Sequence, residues 1–200
     1  MSENTSEADG NISRIQILRI TIVALYTAAT VAAAYILILI PNVEIYTMLV
    51  FLGGLLFGKY AGTSIGFIST IIYRLFNIYG ASDPALLIIQ LISYSILGFL
   101  GGVLKKTHLR QDINSKSQLI FGLIGACFIA AYLLTADIIG ALIFCKPGTL
   151  SICVTAKLVS GILFYAIGVI ANLVTFSVLM PLIIVSFDKQ LVKVFPRDVL

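Results

Sequence analysis

Long apolar runs broken by single charges set the rhythm of this chain. Ile20–Ile40 carries no charge for 21 residues, Ala85–Leu104 for 20, Ser117–Ala136 for 20 and Leu158–Phe187 for 30. A membrane-spanning helix uses about 20 apolar residues, so each run predicts one span. The third run continues past Asp137 to Cys145. Between the first two lie Ile45–Gly58 and Tyr60–Tyr73, 14 residues each, split by Lys59. They predict two short or tilted spans; a re-entrant pair is the other option, and both return the chain to the side it left. The expected fold is an all-α integral membrane protein, a compact bundle of six transmembrane helices.

Residues 1–13 are polar and include Glu3, Glu7 and Asp9. A signal peptide has a positive start and a shorter apolar core, so the first run is expected to be a retained helix. The expected division is a polar tail over 1–13, one membrane domain over 14–187 and a second tail over 188–200.

Composition narrows the class further. Of 200 residues, 60% are hydrophobic and 11% charged, with a mean hydropathy of +1.08. Soluble domains are roughly 45–50% apolar and about 25% charged. A soluble enzyme, a disordered chain and a nucleic-acid-binding domain are therefore excluded. The formal charge of +4 speaks to orientation, since basic residues collect on the cytoplasmic side. With the N-terminus inside, the inner face holds Arg14, Arg19, Lys59, Lys105, Lys106, Arg110, Lys116, Lys189, Lys193 and Arg197; the outer half holds Arg74, Lys146 and Lys157. Ten against three predicts that both termini are cytoplasmic.

Catalytic motifs are missing. Gly53-Gly-Leu-Leu-Phe-Gly58-Lys59 matches seven places of a phosphate-binding loop, then fails at Tyr60; such a loop also follows a soluble strand. The single histidine, His108, excludes most zinc sites. No cofactor or metal is expected. Cys145 and Cys153 bracket an outer loop, where a disulfide and two free thiols both fit.

The remaining charges stand out because ionised groups at membrane depth are costly and need a partner or a wet cavity. They are Glu44, Arg74, Asp83, Asp137, Lys146 and Lys157. At a rise of 1.5 Å per residue, Asp137 lies about 12 Å below the outer surface, Lys157 about 10 Å and Gln90 roughly 9 Å. Polar groups from five helices thus gather in the outer third, as in a pocket opening outward, with Tyr46, Tyr73, Tyr79, Tyr132 and Tyr165 near enough to wall it. Plainer roles also fit. Asp137 and Lys157 suit a structural ion pair, Arg74 suits snorkelling to headgroups, and Glu44 and Asp83 suit solvated loops.

Small residues recur every four positions at Ala24, Ala28 and Ala32, at Gly54, Gly58, Gly62 and Gly66, and at Gly98 and Gly102. Such stripes let helices approach closely. The glycines are expected to pack internally; the broad alanine face suits docking of another membrane protein.

These features resemble the substrate-binding subunits (S components) of energy-coupling factor (ECF) transporters. The likeness runs from about Arg19 to Ser186. It rests on the six helices, the Ala24–Ala32 stripe, Pro41-Asn-Val-Glu44 before the Gly-rich Phe51–Gly66 segment, and Phe76-Asn77-Ile-Tyr79-Gly80 through Pro84 to Gln90. The resemblance implies a prokaryotic cell-membrane protein that captures a small vitamin-like nutrient from outside. It further implies docking, through Ala24, Ala28 and Ala32, on a transmembrane coupling subunit with two ATPases. The family's pocket maps onto Glu44, Tyr46, Gln90, Tyr94, Asp137 and Lys157. With Arg74, Asn77, Tyr79 and Asp83 these form the candidate substrate-binding set. The Gly80–Gln90 segment looks most like members for cobalamin-type or other bulky vitamins. The absence of tryptophan departs from many such pockets and leaves ring stacking to Tyr and Phe. Two rivals are a membrane scaffold of the rod-shape-determining type and a stand-alone secondary transporter; the outer charges disfavour the first, and the lack of a clear repeat the second.

Overall fold

The computed structural model describes residues 3–36, 45–78, 80–107, 109 and 113–194, with side chains between 14 and 187 except at 147. Among these residues there are helices and no strand. They are α1 (Glu3–Ile36), α2 (Ile45–Phe57), α3 (Lys59–Leu75), α4 (Pro84–Val103), α5 (Ser115–Phe144), α6 (Leu150–Val174) and α7 (Met180–Val194). A π-helical turn at Thr175–Leu179 joins α6 to α7, so the last two form one rod. Segments Arg14–Ile36, Pro84–Lys106, Ser115–Phe144 and Leu150–Phe187 are each long and apolar enough to cross a membrane.

The perimeter is greasy. Ile20, Leu25, Ile162 and Leu163 are each about two-thirds exposed, on α1 and α6. A water-soluble monomer rarely exposes so large an apolar patch; lipid would cover it.

Helix α2 explains how a short element fits. Its 13 residues reach about 20 Å at 1.5 Å each, less than the ~30 Å hydrocarbon core. Yet every residue from Tyr46 to Phe57 except Leu49 is buried. Its apolar residues go all round, as in a helix enclosed by others, and α2 forms the axis of the bundle rather than part of its wall.

Glycine makes that enclosure possible. A Cβ on Gly54 or on Gly62 would run into the carbonyl oxygen of Gly98, and one on Gly98 into that of Gly62. Helices α2, α3 and α4 therefore cross backbone to backbone. Gly58 has φ of 98°, a conformation that side chains disfavour, and it turns α2 into α3. The Gly53–Lys59 stretch is thus a helix end and a turn. Arg19 donates to the Phe57 carbonyl at 3.2 Å, satisfying an acceptor that the helix end leaves open.

The order of contacts sets the directions. Tyr26 donates to the Leu49 carbonyl at 2.7 Å while Arg19 meets Phe57, so α1 and α2 are antiparallel. Tyr46 meets Tyr94 and Gly54 meets Gly98, so α2 and α4 run together. Gln90 meets Tyr132 and Tyr94 meets Phe128, so α5 opposes them, and α6 returns beside it. One end of the bundle, the near end, holds the start of α1, the α2–α3 turn and the end of α7. The other, the far end, holds the starts of α2, α4 and α6. At the far end Asp83 accepts from Ala85 N–H at 2.9 Å, with Pro84 next to it at the first helical position; both are strong helix starters.

Candidate functional site

Towards the far end a chain of aromatic rings runs through five helices. Tyr46, fully buried at the start of α2, stacks on Tyr73 of α3 with centroids 5.1 Å apart. It meets Tyr94 of α4 edge-on at 4.8 Å. Tyr94 continues to Tyr132 and Phe128 of α5 at 5.6 and 5.7 Å, and Tyr35 of α1 closes on Tyr73 at 5.4 Å. These separations suit favourable aromatic pairs.

The rings carry polar handles. The Tyr46 hydroxyl lies 2.7 Å from Thr70 Oγ1 and 3.0 Å from Ser69 Oγ. Gln90 Nε2 donates to the Tyr132 hydroxyl at 3.2 Å. Tyr35 donates to the Phe76 carbonyl at 3.0 Å. The Arg74 guanidinium lies 5.0 Å from the Tyr73 ring centre and 5.9 Å from that of Tyr94, within cation–π range. Arg74 is therefore turned onto the rings, not out to headgroups as snorkelling would require.

A second polar group lies between α5 and α6. Asp137 accepts from the Tyr165 hydroxyl. Lys157 places its Nζ beside Gly140, at 3.1 Å from where a Cβ would stand, one turn from Asp137 along α5. No ion pair joins Asp137 to Lys157 among the described residues. The structural-pair option is thus not what the structure contains; Asp137 is held by a tyrosine instead. Above them Cys145 and Cys153 are disulfide-bonded, with Cα atoms 6.5 Å apart, so of the two thiol states the bonded one is present.

The remaining candidates are spread out. Asp83 is occupied in capping α4. Asn77 lies in the α3–α4 turn, where its carbonyl accepts from Gly80 at 3.0 Å. Glu44, Tyr79 and His108 lie outside the described residues. Ala24, Ala28 and Ala32 are all exposed on α1. A groove of about 510 Å³ between α1 and α3 is lined by Ala24, Ala28, Tyr60 and Ile68, among others. It belongs to the bundle's outer face, away from the aromatic rings.

The sequence did not single out two members of the ring cluster, Tyr35 and Phe128, which carry no signal in an apolar run.

A helical bundle with a lipid-compatible perimeter around a buried aromatic and polar cluster defines a class, the multi-pass helical membrane proteins. A family profile described as ECF-type riboflavin transporter, S component, matches residues 14–189, and the chain belongs to that family. It is an integral membrane, substrate-binding subunit of a transporter, not an enzyme. The chain matches no curated protein and no solved structure. The family description names riboflavin, and a cobalamin-type ligand finds no support in it. Nothing in these comparisons favours the scaffold or the stand-alone transporter.

Proposed function

We propose that this subunit captures riboflavin, or a closely related flavin, from outside a prokaryotic cell and releases it inward once docked on its energy-coupling partners. The observation that carries the reading is the chain of Tyr35, Tyr46, Tyr73, Tyr94 and Tyr132 with Arg74 laid on it. A flat tricyclic ring needs extended aromatic and apolar surface with a few directional polar groups. The family description supplies the ligand's name; the rings supply a chemical reason for it. Tyr46, Arg74, Gln90 and Tyr94 form the core of the proposed site, with Asp137 of α5 and Lys157 of α6 as its further members. Glu44, Asn77, Tyr79 and Asp83 are the remaining candidates of the proposed set.

Six spans with both termini cytoplasmic are part of this reading, supported by the ten-to-three split of basic residues. The far end then faces outside. The partner is a transmembrane coupling subunit carrying two ATPases, and its docking face is the exposed Ala24, Ala28 and Ala32 stripe. The groove against α3 favours this, because small side chains beside a depression admit a helix closely.

The test is a flavin-fluorescence titration on protein purified in mild detergent. Saturable quenching at submicromolar riboflavin is the expected result. Absence of quenching, with a different vitamin recovered by mass spectrometry from the same preparation, would replace riboflavin as the substrate.

A further inference from the structure

Below the tyrosines the bundle is sealed and then, one layer higher, unexpectedly polar. Phe51 of α2 packs on Phe176 of the α6–α7 rod at 5.6 Å and on Phe121 of α5 at 6.5 Å. All three rings are fully buried. This plug closes the near side.

Helices α2 and α6 run in the same direction. Thr47 and Asn172 each precede their plug phenylalanine by four residues, about one turn or 6 Å nearer the far end. Residues four apart share a helix face, so both sit on the sides that carry the Phe51–Phe176 contact. They form a layer between plug and tyrosines, and Thr47 is the direct neighbour of Tyr46. Gln90 lies one turn further out, four residues before Tyr94.

These three side chains share an oddity. Thr47 Oγ1, Asn172 Oδ1 and Gln90 Oε1 are buried and have no hydrogen-bond partner among the described residues. Thr47 is 0% exposed, Asn172 1% and Gln90 9%. The other ends of the amides are used: Asn172 Nδ2 donates to the Gly168 carbonyl at 2.9 Å, and Gln90 Nε2 to Tyr132. What is left over is two carbonyl acceptors and one hydroxyl. A buried polar atom without a partner costs free energy, and native proteins seldom leave one without a reason. In a membrane protein no lipid supplies the missing bond.

We infer that Thr47 and Asn172, with Gln90 above them, are specificity-determining residues that form the floor of the substrate pocket and read the hydrogen-bonding edge of the ligand ring. An acceptor calls for a donor, and a flavin ring has one, the imide N–H, which Asn172 Oδ1 at the floor takes; the flanking carbonyls are served by the Thr47 hydroxyl, and Gln90 Oε1, a turn further out, is left for a ligand hydroxyl. The ring thus enters edge-first, with its imide toward the phenylalanine plug and its faces against the tyrosines. The inference rests on the riboflavin reading and goes beyond it by assigning the ligand's direction and the residues that select it.

The experiment compares riboflavin with 3-methylriboflavin, which lacks the imide N–H, on wild-type protein and on Thr47→Val and Asn172→Leu. The wild type is expected to bind the methylated probe about tenfold or more weakly, the size of one lost buried hydrogen bond. Each variant is expected to lose about tenfold for riboflavin and to discriminate between the two probes less than the wild type does. Without ligand, both variants are expected to elute as single species, and Thr47→Val to melt no lower than the wild type, because only an orphaned hydroxyl has been removed. If the wild type binds riboflavin and the variants keep both its affinity and its discrimination, the floor assignment is wrong while the substrate reading stands. Variants that melt lower yet still discriminate overturn it equally, by showing a packing role. If the wild type binds neither flavin, both readings fall together.

Discussion

Tyr94 is the residue on which the ring chain turns. It touches Tyr46, Phe128 and Tyr132 at 4.8–5.7 Å and lies under Arg74. Replacing it with Ala removes ring contacts worth about 0.5–1.5 kcal/mol each. Riboflavin affinity is then expected to fall at least about tenfold, whereas Tyr94→Phe should retain most of it; a titration of both variants checks this. Asp137 and Lys157 are argued at the same scale. Neither is paired with the other: Asp137 accepts from Tyr165, and the Lys157 Nζ lies beside Gly140. Replacing either with Ala is expected to weaken binding by about tenfold, as loss of a charge-assisted hydrogen bond would. Unchanged affinity in both would confine Asp137 to its bond with Tyr165.

At the scale of elements, two stripes of small residues behave differently. Gly54 of α2, Gly62 of α3 and Gly98 of α4 face one another across the helix crossing, where an added Cβ meets backbone. Gly98→Ala is expected to destabilise the bundle by about 1–3 kcal/mol, the usual cost of overpacking, seen as a lower melting temperature in detergent. The alanines of α1 face outward. Ala28→Trp is therefore expected to leave riboflavin binding unchanged and to abolish uptake in cells that supply the coupling subunit and ATPases. Uptake at the wild-type rate would remove the stripe from the docking face. Both stripes follow the same four-residue spacing, and that spacing does not distinguish an internal contact from an external one.

At the scale of the molecule, polarity is layered along the bundle: basic residues at the near end, a phenylalanine plug, a thin polar layer, tyrosines, then Arg74 and the capped start of α4. If the termini are cytoplasmic, as the split of basic residues predicts, a reporter fused to the C-terminus is expected to be active only as a cytoplasmic fusion. An externally active fusion would invert the bundle.

Much of this was readable before any coordinates. The four longest hydrophobic runs coincide with helices long and apolar enough to cross a membrane, because the bilayer imposes a length that acts on the sequence locally. Tyr46, Arg74, Gln90, Asp137 and Lys157 were conspicuous because polar groups at depth need a reason. Their partners were not. That Asp137 pairs with Tyr165, that Arg74 turns onto two rings, and that Thr47 and Asn172 share a layer depends on helix rotation and register. These are set by contacts between residues far apart in the chain, above all the glycine crossing that draws α2 to the centre. Spacing along one helix says which side chains share a face, and only packing against the others decides what that face meets.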